Sequence, residues 1–187
     1  MNYKKFIQYQ GMVGMASTMI FPFYILLLKN AGTSYAQFGW AYGLFALTAA
    51  ISYPLIGKAG DRIGDKTLLT VYSWGMALML LFFPLATEIW HVYGLQVVMG
   101  LLGAVQKNSE KAVLARYVDK PTAGSQIGNY HTWTSIAAAI AVIGTGYLVD
   151  FMTIASIFYI ASVAFALSGV LAMKMPTAET APAFLDK

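Results

Sequence analysis

The chain has 187 residues, of which 58% are hydrophobic and only 11% charged, and its mean hydropathy is +0.62. A soluble domain carries about twice that charge, so a water-soluble globular fold is excluded. Lys and Arg number 12 against 8 Asp and Glu, for a net charge of +4, and the absence of cysteine excludes disulfides and thiolate chemistry.

The apolar residues fall in six blocks, each near the roughly 20 residues that a helix needs to cross a bilayer. None shows the period-two alternation of a membrane strand. The first block, at about 6–28, follows Lys4 and Lys5. It is longer than the apolar core of a signal peptide and no small-x-small site closes it, so a retained helix is expected. The second block covers about 36–57 and runs into the charged, glycine-rich stretch GKAGDRIGDK. The third covers about 67–87, the fourth 89–110, the fifth 127–149 and the sixth 151–173. Residues 1–175 are therefore expected to form one bundle of six transmembrane helices, an all-α integral membrane fold. The polar stretch 176–187, PTAETAPAFLDK, reads as a disordered cytoplasmic tail.

Lys and Arg in short loops collect on the cytoplasmic side. Six helices put both termini, the second-third loop and the fourth-fifth loop on one side, and that side holds every Lys and Arg except Lys29. Both termini are expected in the cytoplasm, with the chain multi-pass in the cell (inner) membrane. The imbalance also argues against insertion in both orientations. The pI near 9.2 follows from topology and anionic lipid, so no nucleic-acid partner is expected. The outer loops NAGTSY, TEIWH and DFMT leave no room for an extracellular domain, and Tyr35, Trp90 and Tyr93 stand where interfacial aromatics belong.

The stretch from Gly57 to Lys66 reads as the short cytoplasmic loop between helices two and three. Gly57 would let helix two end close against a neighbour, while Gly60 and Gly64 would permit a tight turn. The pattern formed by Gly57, Asp61, Arg62, Gly64, Asp65 and Lys66 resembles the loop signature of the major facilitator superfamily. It departs from that signature at Asp65, where a basic residue is usual. GTGYLVDFMT also looks like the family's connection between helices five and six. The resemblance covers roughly residues 6–173 and implies one six-helix half of that fold. Family members usually hold two such halves with the substrate path between them. A single half would then pair as a parallel homodimer, or with a different half-size partner, or be a piece of a longer chain. A charged, tight connector remains the alternative reading of the motif.

In the resembling fold, helices one and four with parts of two and five face the central cavity, and helices three and six face lipid. The candidate cavity-lining residues lie on three of these. Gln96, Gly100, Gly103, Lys107 and Glu110 are spaced by four, three, four and three on helix four, with Gln106 beside them. Gln10, Gly14, Ser17, Phe21 and Tyr24 share a face of helix one. Helix five opens with Asn129, His131, Thr132 and Ser135. Polar groups in lipid are costly and face a cavity or a partner. Each has a plainer reading: Lys107 and Lys111 snorkel to headgroups, Gln96 bonds two helices together, and His131 is a structural histidine. Gly39 and Gly43 form a small-xxx-small face on helix two, suited to close helix packing or a dimer seam.

Function follows from these expectations. The chain is read as a transporter of a small molecule by alternating access, with a non-transporting membrane scaffold and half of a heterodimer as alternatives. By the resemblance, Asp61 would close a gate against the amino-terminal end of the other copy's helix five, near Gly124 to Gln126, with Arg62 and Arg116 linking the cluster to helix four. Asp61→Asn is expected to shift the conformational balance without unfolding the protein. Two further departures weaken a proton-driven exporter: Gln96 stands where the family often carries an arginine, and helix five has no glycine-proline pair. No carboxylate lies in the middle of any block, no nucleophile-base set or metal cluster appears, and the glycine loop lacks the lysine-serine/threonine of a nucleotide site. Neither an enzyme, a metal nor a cofactor is expected.

Overall fold

The computed structural model describes residues 3–25 and 34–175. Expectations for 26–28 and for the tail 176–187 lie outside the described residues. Within them there are six long helices and no strand: α1 (Tyr3–Ile20), α2 (Tyr35–Ile63), α3 (Asp65–Phe82), α4 (Ile89–Tyr117), α5 (Ala123–Phe151) and α6 (Ile154–Met173). Single 3-10 turns at Phe83–Leu85 and Lys120–Thr122 join α3 to α4 and α4 to α5. Helices dominate because lipid offers no partner to backbone N–H and C=O groups, which must pair within the segment. Among the described residues α2 to α6 are long and apolar enough to cross a membrane. The 18 residues of α1 include Lys4, Lys5, Gln8 and Gln10, which lower its hydropathy.

Helix ends follow local chemistry. The Ser34 hydroxyl accepts from the Gln37 backbone N–H while the Gln37 side chain accepts from the Ser34 N–H, a reciprocal cap that opens α2. The Thr153 hydroxyl accepts from the Ser156 N–H at the start of α6. Pro22 ends α1: the ring removes a donor, and the chain turns with Phe23 N–H donating to the Ile20 carbonyl at 3.0 Å.

The stretch expected as a loop at 57–66 is almost wholly helical. α2 continues through Gly57 and Gly60 to Ile63, and the junction with α3 is Gly64 alone, at φ 81° and ψ 149°. That positive φ suits only a residue without a Cβ. Gly57 does not end helix two. Instead Gly57 and Gly60 let α2 lie against the Asn108 side chain of α4.

α3 and α6 join the two sides of the bundle. α5 and α6 pack on α1, α2 and α3 pack on α4, and α3 also packs on α6. Without a hydrophobic drive between helices in lipid, close approach and interhelical hydrogen bonds hold them. A Cβ on Gly100 of α4 would stand 2.4 Å from the Phe45 carbonyl oxygen of α2, so the two backbones touch there. Between α1, α3 and α6 the Tyr9 hydroxyl donates to the Leu69 carbonyl at 3.1 Å and pairs with Ser73 Oγ at 2.9 Å. Ser168 Oγ donates to Ser73 Oγ at 3.0 Å, and Ser162 Oγ donates to the Ala77 carbonyl at 2.7 Å.

Candidate functional site

At the α2–α3 end, the charged residues divide sharply. Asp61 and Arg62, in the last turn of α2, are exposed, and Lys66 is half-buried. Asp65, the first residue of α3, is only 5% exposed and accepts a 2.6 Å hydrogen bond from Arg116 Nη1. Arg116 lies in the last turn of α4, a turn that exists because α4 runs on past the expected end at 110. So the ion pair joins α3 to α4 through the residue that departs from the loop signature. Asp65 Oδ1 has no hydrogen-bond partner among the described residues. Arg116 is thereby tied to Asp65 within the bundle, whereas Asp61 has no ion-pair partner among the described residues.

Inside the bundle, polar bridges run to α4 from α1, from the segment just after it and from α5. Gln96 Nε2 donates to the Tyr24 hydroxyl at 2.7 Å, and both residues are buried. About three turns further along α4, Gln106 Nε2 donates to Gln10 Oε1 at 2.6 Å. Among the described residues this buried amide pair leaves Gln10 Nε2 and Gln106 Oε1 without partners, and the buried hydroxyl of Ser109 is likewise unpaired. One turn on, the Tyr130 hydroxyl of α5 donates to Glu110 Oε1 at 2.6 Å. The rings of Phe6 and Tyr130 stack at 6.0 Å, bringing α1 and α5 together beside this bond.

A cavity of 180 Å³ opens beside the Tyr24–Gln96 bond. Ser17, Tyr24, Gln96 and Gly103 of the expected face line it, but so do Tyr72 and Met76 of α3 and Phe158 of α6. α3 and α6 are therefore not confined to the lipid-facing side. Phe21, Tyr42, Phe45, Phe83 and Met99 complete most of the wall. The break at Pro22 lets Phe21 reach the cavity rim, where its ring meets Tyr42 edge-on at 5.6 Å.

Three other expected lining residues stand apart. Lys107, Asn129 and His131 are exposed on the bundle surface, with the His131 ring against Tyr130 at 5.1 Å. The structure thus gathers Ser17, Tyr24, Gln96 and Gly103 at one cavity and pairs Gln10 with Gln106. It holds Glu110 on Tyr130 and leaves the α5 group outside. Sequence reasoning missed the aromatic wall from α2 and α3. Tyr42 and Phe45, three residues apart and so on one helix face, were the available signal. Among the described residues no group of His, Asp and Glu could hold a metal ion.

The sequence has relatives among known proteins. The chain is 47% identical over 159 residues to "Uncharacterized MFS-type transporter YitZ" of Bacillus subtilis, an alignment covering 85% of this chain and 97% of that protein. It is 30% identical over 168 residues to multidrug resistance protein MdtG of Serratia proteamaculans, covering 85% of this chain and 41% of that one. MdtG of Yersinia enterocolitica is 30% identical over 175 residues, or 88% and 42%. The chain spans about two fifths of the length of these MdtG proteins. Residues 9–185 match the Major Facilitator Superfamily as a family. With the six-helix bundle and a match over nearly its full length, the chain belongs to the Major Facilitator Superfamily, as one helical half of that membrane transport fold.

Proposed function

We propose that this chain is a half-size transporter of a small molecule, working by alternating access as a parallel homodimer in the cell membrane with both termini cytoplasmic, and that it is not an enzyme. One observation carries the reading: α2 and α5 are left uncovered by their own bundle. Only 17% of the apolar stretch of α2 and 11% of that of α5 is buried, against 44% for α3. Apolar exposure alone is ordinary in lipid, but α5 also exposes Asn129, His131 and Ser135, groups that are costly against acyl chains. A second copy turned about an axis along the membrane normal would set α2 of each bundle beside α5 of the other. The exposed Asp61 at the end of α2 would then face the amino-terminal end of the partner's α5, whose partial positive charge holds an anion. Homology to transporters over nearly the whole of YitZ supports transport as the activity.

The test uses the natural absence of cysteine. Gly43 lies eight residues from the start of α2 and Gly144 seven from the end of α5, so at 1.5 Å per residue they sit at matching depth in a parallel pair. Both have open space for a side chain. The Gly43→Cys/Gly144→Cys protein should cross-link to twice the 20.3 kDa chain mass in native membranes. A purified chain that stays monomeric in mild detergent and gives no cross-link would overturn the homodimer.

A further inference from the structure

We propose that each bundle carries its own binding site, the cavity beside the Tyr24–Gln96 bond, and that it takes a neutral, single-ring aromatic molecule bearing a hydrogen-bond acceptor. Size comes first. An apolar cavity of about 150 Å³ accommodates benzene, and the 180 Å³ here leaves room for one ring with a small substituent. The wall is built from aromatic faces and edges. Tyr24 meets Phe83 edge-on at 5.5 Å, Phe83 meets Phe158 at 5.6 Å, and Tyr42 meets Phe45 at 6.3 Å. Offset and edge-to-face geometries of this kind extend readily to one more ring. Met76 and Met99 add side chains that adapt to ligand shape.

Charge comes next. Among the described residues no Asp, Glu, Lys, Arg or His lines the cavity, and an unpaired ion moved into such a place loses its hydration without compensation. The polar anchor is the Tyr24–Gln96 pair. Tyr24 accepts from Gln96 Nε2 at 2.7 Å, so its own hydroxyl proton remains to donate to a ligand oxygen. Entry is past Phe21, which is 65% exposed at the rim. Because α3 and α6 contribute walls, the site lies within one bundle and not on the axis between two, and a dimer would hold two ligands. That the ligand is also the transported solute rests on the transporter reading above; the site rests on the cavity.

The probe is 4-fluoroacetophenone, followed by fluorine NMR with the protein in lipid nanodiscs and empty nanodiscs subtracted. Saturable binding approaching one probe per chain is expected. Tyr24→Phe should weaken it about 2- to 10-fold yet leave fluorobenzene, which has no carbonyl, unaffected. Ser17→Phe, which fills the cavity, should abolish both. Tyr24→Phe changes one oxygen and no shape, so it decides the matter if Ser17→Phe fails to fold. Saturation at one probe per two chains, indifference to both variants, or tighter binding of 4-fluorobenzyl-trimethylammonium would each overturn the site as proposed. The Gly43→Cys/Gly144→Cys cross-link separates the two readings. Saturable binding without a cross-link overturns the homodimer and leaves the pocket. A cross-link without saturable binding sinks the pocket and leaves the homodimer.

Discussion

Asp65 shows how one residue changes a local circuit. The family's loop signature usually has a basic side chain at this position, and a carboxylate there recruits Arg116 into the bundle. Removing Arg116 would leave a buried anion with no counter-charge. Arg116→Ala is expected to cost about 1–3 kcal/mol, less than breaking a fully buried pair costs because Arg116 is half open to solvent. Thermal unfolding in detergent checks it, and the Asp65→Asn/Arg116→Ala double variant should recover most of the loss. The Gln10–Gln106 amides make a second case. Gln106→Leu alone orphans Gln10 and should destabilise by about 1–3 kcal/mol, whereas Gln10→Leu/Gln106→Leu should be near neutral in stability. A transport rate that falls in the stable double variant would assign the amides to the solute path; an unchanged rate would leave them as a bond between α1 and α4. Both amides were legible in sequence as polar residues in apolar blocks. Their pairing was not, because they lie on different helices and depend on how α1 and α4 are rotated.

At the scale of elements, hydropathy located six helices, and the ends were where it failed. Gly57 and Gly60 read as helix breakers, and in an isolated peptide glycine does weaken a helix. In the bundle they lie where α2 needs room beside Asn108, so packing outweighs propensity and the turn shrinks to Gly64. The same physics separates two glycine faces of opposite use. Gly100→Ala sets a methyl 2.4 Å from the Phe45 carbonyl and should push α2 from α4 at a cost of about 1–3 kcal/mol. Gly43 has nothing within 4 Å, so Gly43→Ala should leave the melting temperature of the bundle unchanged. Equal losses of stability in the two variants would contradict this division.

For the whole molecule, the distribution of Lys and Arg sets the proposed orientation, which labelling tests directly. In a chain without native cysteine, Lys120→Cys at the α4–α5 junction should react with an impermeant maleimide only in inside-out vesicles. Trp90→Cys at the start of α4 should react only in intact cells. The reverse pattern would invert the orientation. The uncovered sides of α2 and α5 would then acquire a direction: in the proposed homodimer a parallel partner would bury the polar opening of α5, and an inverted one would misplace Asp61.

The sequence by itself determined that this is an all-helical membrane chain with six apolar blocks and a facilitator-type signature after the second. Those properties depend on composition, block length and residue spacing, all of which are local along the chain. Only the tertiary structure decided that Asp65 takes Arg116, that α3 and α6 help wall an aromatic cavity, and that His131 and Asn129 lie outside it. Each of these depends on which face a helix turns toward its neighbours. In a bilayer nearly every face of such a helix is apolar, so periodicity carries little of that information, and close backbone contacts such as Gly100 on Phe45 settle the rotation instead.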